Sequence, residues 1–324
     1  MYKLYCNSKD ITDFISSLST TDNIDSLSVE MSFSVVKNPK DKYLTASAPV
    51  IKCGDKILFK NDSIELFRGI VLSVDFSGSI KANDYGFYLN KSEMILQCNK
   101  VSAENAIKMM CNKMSIPVGN IASMPTRINK NYIGSTPADI LKDIIEQVTA
   151  EQGKNYFYKV EQGKLNVYEY PTSPITAVYK QVSGDNFNVT WLLGEVSGSK
   201  SIEELKNSVK VIKNDNEVVK NLAEAQDGNS ISQYGLLQHI ETLDSESTQN
   251  ANSIAKNKLK ELNVLTEDYS IGNMLGSDTV KSGVMLEFSS MAYGIAGYYI
   301  VTDVTHNYGV THTMSLGIKK VTSI

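Results

Sequence analysis

Between Leu27 and Val35 the chain alternates strictly, with Leu27, Val29, Met31, Phe33 and Val35 apolar and Ser28, Glu30, Ser32 and Ser34 polar. A period of two puts each set on its own face of a strand, so this stretch reads as β with one buried face. Asn38-Pro39 breaks the run. A second signal follows: Gly54-Asp55-Lys56-Ile57-Leu58-Phe59, the polar turn Lys60-Asn61-Asp62-Ser63, then Ile64 to Val74. Two apolar runs around a short polar turn predict a hairpin. The chain closes on a third. Gly297-Tyr298-Tyr299-Ile300-Val301-Thr302-Asp303-Val304-Thr305-His306 runs into Asn307-Tyr308-Gly309 and returns through Val310-Thr311-His312-Thr313-Met314. Alternation places Tyr299, Val301, Asp303 and Thr305 on one face, with Tyr298, Ile300, Thr302 and Val304 on the other.

The period changes in the middle of the chain. Ala103, Ala106, Ile107, Met110 and Met114 recur at helical spacing after Ser102, a capping residue, and stop before Pro117. Thr136-Pro137-Ala138-Asp139 is a helix start with proline at the first position, and Ile140, Leu141, Ile144, Ile145 and Val148 mark its apolar face. Tyr156–Val160 and Leu165–Glu169 flank a Glu-Gln-Gly-Lys turn, another hairpin. Residues 181–245 return to strands, with Val209–Ile212 and Glu217–Val219 around Lys213-Asn214-Asp215-Asn216. One further helix is predicted over 246–263, and β structure resumes from residue 268. The class is α+β, mainly β.

The two ends echo each other. Gly54 opens a strand and Gly69 follows it by fifteen residues; Gly283 opens Val284-Met285-Leu286-Glu287-Phe288 and Gly297 follows by fourteen. Two like hairpins near the two ends predict a duplicated β-barrel.

Composition narrows the function classes. The chain has 324 residues, 42% of them hydrophobic and 21% charged, which suits an ordinary globular protein of two to three domains. Its net charge is −4, with no dense Lys/Arg stripe, which argues against sequence-independent capture of nucleic acid. Cys6, Cys53, Cys98 and Cys111 form no CxxC pair and read as reduced, buried thiols. The start, Met1 to Cys6, lacks the apolar region of a signal peptide, and no apolar run is long enough to span a bilayer, so no membrane insertion is expected.

Candidate chemistry is sparse. The histidines are His239, His306 and His312, and the last two can approach across the terminal hairpin. No Cys, Asp or Glu at ligand spacing joins them, so hydrogen bonding at a turn is the better reading and no metal site is expected. Gly194-Glu195-Val196-Ser197-Gly198 places serine one position late for a nucleophile elbow, and P-loop, GxGxxG and HExxH patterns do not occur. A capping box explains Ser201-Ile202-Glu203-Glu204. Trp191, the sole tryptophan, reads as a core or interface anchor. Neither catalysis nor a cofactor is expected.

Several passages, in order along nearly the whole chain, resemble the tail hub proteins of phages and phage-like particles, above all the PBSX-type prophage tail family. They are Gly54-Asp55-Lys56-Ile57 with Leu66 to Val71; Tyr88-Leu89-Asn90-Lys91-Ser92; Ser201 to Val211; Ser230 to Gln238; and Gly297 to Leu316. The resemblance extends to late control D-like proteins of contractile injection systems. It implies two tube-like β-barrels: residues 1–94, completed by 181–200, and residues 201–324 with helix 246–263, separated by an inserted α+β domain over 95–180. Gly54, Phe67, Gly69, Gly297, Tyr299, His306 and His312 become hallmark positions of the barrel hairpins, structural in role. The function implied is a homotrimeric, pseudo-sixfold baseplate hub joining the tail tube protein to the spike protein. Other baseplate and tail assembly proteins are further partners, and DNA passes only as cargo. Such a hub resides in the virion or tail-like particle and is assembled in the host cytoplasm. Two alternatives are a peptidoglycan-acting tail enzyme and a carbohydrate- or receptor-binding tail module.

Overall fold

The computed structural model describes the chain except residues 37–39, 181–185, 192–193, 215–218, 245–246, 291–293 and 322–324. The expected breaks at Asn38-Pro39 and Asp215-Asn216 fall outside the described residues, as does the side chain of Trp191.

The first half is strand after strand: β1 (Tyr2–Cys6), β2 (Lys9–Asp10), β3 (Ile15–Asn23), β4 (Glu30–Val35), a short helix α1 (Lys42–Ser47), then β5 (Lys56–Asn61), β6 (Ile64–Val74) and β7 (Ser79–Asp84). The alternation predicted from sequence appears in β4, where Met31, Phe33 and Val35 are buried. A turn of helix, α2 (Gly86–Lys91), leads into the α+β unit: β8 (Met94–Ser102), α3 (Ala103–Lys113), β9 (Val118–Ile121), β10 (Arg127–Ser135), α4 (Pro137–Gln152), β11 (Tyr156–Glu161) and β12 (Lys164–Glu169). Thr136 caps α4 as expected, its Oγ1 accepting from the Asp139 amide at 3.1 Å, and Gly153 ends it at φ 69°. Ser102 stands at the N-cap of α3 without a side-chain cap bond; the first helical amide, Ala103, donates to the Thr126 carbonyl. Strands β8 and β10 were not expected: Met94, Leu96 and Cys98 are buried against the helices while Ile95, Gln97 and Asn99 face out.

The second half follows: β13 (Val178–Lys180), β14 (Asn186–Asn188), β15 (Glu195–Ser201), β16 (Ser208–Asn214), β17 (Val219–Gln226), α5 (Gly228–Tyr234), β18 (Gln238–Leu243), α6 (Ala251–Leu262), β19 (Thr266–Leu275), β20 (Met285–Ser290), β21 (Ile295–Tyr308) and β22 (His312–Lys320). Helix α6 starts later than predicted because Asn250 caps it, accepting from the amides of Asn252 and Ser253. Helix α5 is too short for a legible period and is set by its cap, Asp227. Ser201 makes no capping box: its Oγ accepts from the Glu203 amide in a turn that no helix continues.

Half of the chain is strand and about a fifth helix, and among the described residues none of the sheets closes. A 12-stranded sheet runs β15-β19-β22-β21-β3-β4-β7-β6-β5-β1-β2, with β20 paired to β21 off this path. Two halves of this sheet repeat one topology. β3, β4, β7, β6 and β5 lie side by side in that order, and so do β15, β19, β22, β21 and β20, the same chain order in each case. The halves join where β21 pairs with β3, from Asp303 opposite Asn23 to Asn307 opposite Ser19. In and beside the stretch expected to complete the first half, the described strands pair as follows. Strands β13 and β14 pair with each other, and β15 pairs with β19.

Each half buries its own cluster, one around Met31, Phe33, Phe59 and Phe67, the other around Ile271, Phe288, Tyr299 and Leu316. A third cluster gathers α3, α4 and the strands beside them. Apolar burial of this extent is the main stabilising term for each unit.

Candidate assembly surface and polar junction

The hallmark hairpins coincide in hydrogen bonding, with a shift. Gly54 takes φ 89° and Gly283 φ 82°, values that favour glycine. The Gly54 amide donates to the Val71 carbonyl and the Gly283 amide to the Val301 carbonyl, both at 2.8 Å. Val71 and Val301 return bonds to Asp55 and Val284, both at 2.9 Å. In this register Phe59 matches Phe288, and both are core residues. Gly69, opposite Ile57, then matches Tyr299, opposite Leu286; Phe67 matches Gly297. The glycine and the aromatic residue have exchanged places, so Gly69 and Gly297 are not equivalents. A Cβ on Gly69 would sit 2.0 Å from the Asn83 carbonyl oxygen, so this glycine permits close strand approach. Gly297 has open space and needs its residue type for φ 110°.

Both long strands carry a bulge at the matching point, between Val71 and Ser73 and between Val301 and Asp303. The extra residue reverses the facing of everything after it. Tyr299 and Val301 are buried, and beyond the bulge Val304 and His306 are buried with them, which corrects the placement of Asp303 and Thr305 on the face of Tyr299 and Val301.

His306 and His312 meet across the hairpin, His306 Nδ1 to His312 Nε2 at 2.9 Å. His306 Nε2 lies 2.9 Å from the Val280 carbonyl, which can only accept, so that nitrogen carries hydrogen. His306 Nδ1 then accepts from His312 Nε2, leaving His312 Nδ1 to face the Tyr2 hydroxyl at 3.0 Å. The same hydroxyl is 3.0 Å from Asp278 Oδ1, and Asn61 donates to Asp278 Oδ2 at 2.7 Å. This chain of polar contacts, with the rings of Tyr2, Phe59 and Tyr308 packed on it, links β1 and β5 to the terminal hairpin. Burial holds His306 below its ordinary value; burial, then His306 itself, lowers His312 to about 4. Both rings are neutral at pH 7. No cluster of three or more His, Cys, Asp or Glu able to hold a metal occurs among the described residues.

Sequence reasoning missed a second polar knot. Lys159 on β11 donates to Asp22 on β3 at 2.7 Å, and Asp22 also accepts from the Ser282 amide and hydroxyl. Burial opposes ionisation of Asp22, but the Lys159 ammonium and the Ser282 bonds hold its carboxyl below its ordinary value. Burial pulls Lys159 the other way, below the usual lysine value. The short contact and the Ser282 donors decide for a charged pair. The pair lines a cleft of about 440 Å³ between the sheet and the β11–β12 hairpin. Every carboxylate lining it is engaged: Glu65 with Arg68, Glu161 with Lys281 and Tyr168, Asp84 with the amides of Val29 and Gly86, and Asp278 as above. Neither partner of the Lys159–Asp22 pair has a local sequence signal; only the fold brings residues so far apart in sequence into contact.

Cys6, Cys98 and Cys111 are buried and free, as expected, whereas Cys53 is free and exposed. His239 makes a 3.3 Å contact with Glu241 and stands apart from the other two histidines. No helix is long and apolar enough to cross a membrane among the described residues.

A family model described as YQBQ-like matches residues 18–319. The chain is 27% identical over 278 residues to the uncharacterized protein YqbQ of Bacillus subtilis (strain 168), covering 84% of this chain and 82% of that protein. It is also 27% identical over 272 residues to the phage-like element PBSX protein XkdQ of the same organism, covering 82% and 81%. Among solved structures it resembles the 43 kDa tail protein of prophage MuSo2 from Shewanella oneidensis, with a TM-score of 0.68 at 11% identity over 98% of this chain and 97% of that one. That likeness establishes a shared fold.

Proposed function

The chain belongs to the YQBQ-like family of prophage tail and baseplate proteins, and from that premise we propose that it is the hub of such a tail. It is a phage tail structural protein. In the hub we propose, three copies form a pseudo-sixfold ring between the tail tube protein and the spike protein, with other baseplate proteins around it. The observation that carries this reading is the repeated five-strand topology within one chain. Two like halves per subunit let a threefold ring offer six similar positions to a sixfold tube while keeping threefold symmetry for a spike.

We assign residues 1–94 and 201–324, the latter joined by β15, to the two tube-like halves, and 95–180 to the inserted unit. One buried cluster within 1–94 and another centred on 271–318 support the division into two halves. The hallmark residues are structural in this reading, and the protein is not an enzyme; the engaged carboxylates of the cleft support that. A net charge of −4 suits a conduit through which DNA passes as cargo. The hub would be assembled in the host cytoplasm and reside in the particle. Electron microscopy of purified tail particles tests the proposal. Three copies at the distal end of the tube are expected, whereas density along a sheath or fibre would refute it. Activity of the isolated chain on cell-wall suspensions would instead support a peptidoglycan-acting enzyme, and saturable binding to surface glycans a receptor-binding module.

A further inference from the structure

The joint between the two halves shows how a second copy would attach. Matched pairings carry the equivalence of the halves across the whole sheet. Val71 lies opposite Ala82, Ala82 opposite Met31, and Met31 opposite Thr20; in the same order Val301 lies opposite Ile318, Ile318 opposite Tyr269, and Tyr269 opposite Gly198. Strand β3 is thus the counterpart of β15, and β6 that of β21. Within the chain, β21 beyond its bulge pairs with β3, Val304 standing opposite Asp22. The matching stretch of β6 beyond its bulge, Ser73 and Val74, is exposed, and among the described residues β6 pairs only with β5 and β7. Among the described residues strand β15 pairs only with β19, and its residues from Ser197 to Lys200 are exposed. Each chain therefore carries one unused half of each side of a joint that it already makes once internally.

We infer that copies of this chain associate head to tail by antiparallel pairing of β15 on one copy with the Ser73–Val74 end of β6 on the next, Val74 opposite Lys200. This rests on the ring reading for the number of copies, not for the pairing. Backbone bonds from an edge strand supply affinity, and a head-to-tail joint of this kind closes into a ring when its rotation allows.

The test places Val74→Cys and Lys200→Cys together in a chain whose exposed Cys53 is replaced by Ser, and assembles it into tail particles. After mild oxidation, a non-reducing gel is expected to show covalent species at multiples of the chain mass, ending at three. A ladder that ends at another number keeps the pairing and overturns the ring of three. Monomer alone, from particles that contain the chain, overturns the pairing and leaves the hub position to microscopy. Should the substituted chain not assemble, hydrogen exchange on the unaltered chain decides. The amide of Val74 and alternate amides of β15 are expected to exchange at least about tenfold more slowly in particles than in the isolated chain. Equal rates in the two samples overturn the inference.

Discussion

The amide of Gly283 donates to the carbonyl of Val301 at 2.8 Å, and the amide of Gly54 makes the same bond, at the same length, to Val71. From this shared bond the two hairpins run in step through a matched Phe59 and Phe288 and a matched bulge. What differs is the pair on the return strand, Phe67 and Gly69 in one half, Gly297 and Tyr299 in the other. Each glycine therefore answers a different physical demand, and substitution separates them.

Gly69→Ala forces a methyl group against the Asn83 carbonyl, 2.0 Å from its ideal position, and the β6–β7 pairing must shift to admit it. A loss of about 3 kcal/mol is expected, the upper end for overpacking. Gly297→Ala meets no atom and bears only the strain of φ 110°, about 1 kcal/mol. Urea denaturation of the two variants is expected to rank them in that order, with amide shifts around Asn83 moving only in the first.

Lys159 and Asp22 tie the inserted unit to the sheet from within a nearly closed environment, side chains 9% and 13% exposed. Lys159→Met leaves a buried carboxylate with only Ser282 to satisfy it, and a loss of about 3–5 kcal/mol is expected. The double variant with Asp22→Asn is expected to lose less than the sum of the single losses, by at least about 1 kcal/mol. A thermodynamic cycle from denaturant unfolding measures this coupling, and strict additivity would show that the pair is not coupled.

Tyr299 is buried with its ring edge-on to Tyr269 and Phe288, yet its hydroxyl has no hydrogen-bond partner among the described residues. A buried unpaired hydroxyl is unfavourable, so Tyr299→Phe is expected to leave stability unchanged or raise it by up to about 1 kcal/mol. A clear loss in the isolated chain would mean that the hydroxyl has a partner.

Much of the fold is legible in the residue pattern because each hairpin is local. The alternation in β4, the turn after Asn61 and the capped helix at Thr136 are each decided within a few residues. The duplication was visible as well, but its register was not. Spacing from glycine to glycine matched Gly69 with Gly297, whereas the hydrogen bonds match Gly69 with Tyr299. Bulges at Leu72 and Thr302 likewise carry no sequence mark, and beyond Thr302 the faces expected from alternation are therefore exchanged. The polar contacts were the least legible. Tyr2 and His312 stand at opposite ends of the chain, and only the route of the sheet brings them to 3.0 Å.

The histidine pair gives the structure a pH dependence with a defined sign. Burial favours the neutral rings, lowering His306 and taking His312 from its ordinary 6.5 to about 4. As pH falls, the unfolded chain takes up protons before the folded one does, so stability declines. The contribution of the pair is complete above pH 6.5 and is lost between there and about 4. The charged and titratable groups around the pair are Tyr2 on β1, Asp22 on β3, Tyr308 on β21, and Asp278 and Lys281 in the segment before β20. Asp22 is held below its ordinary value and stays ionised through most of this window, and burial pushes Tyr308 up, so it stays neutral. Urea midpoints measured at pH 7.5 and pH 5 are expected to fall for the native chain. The fall should be smaller for His306→Gln with His312→Gln, which keeps polar atoms in place without a titrating ring. Imidazole nitrogen shifts in the native protein give an independent reading. His312 is expected to remain neutral at pH 6 and His306 to titrate below its ordinary value, and titration of either at its ordinary value would overturn the assignment.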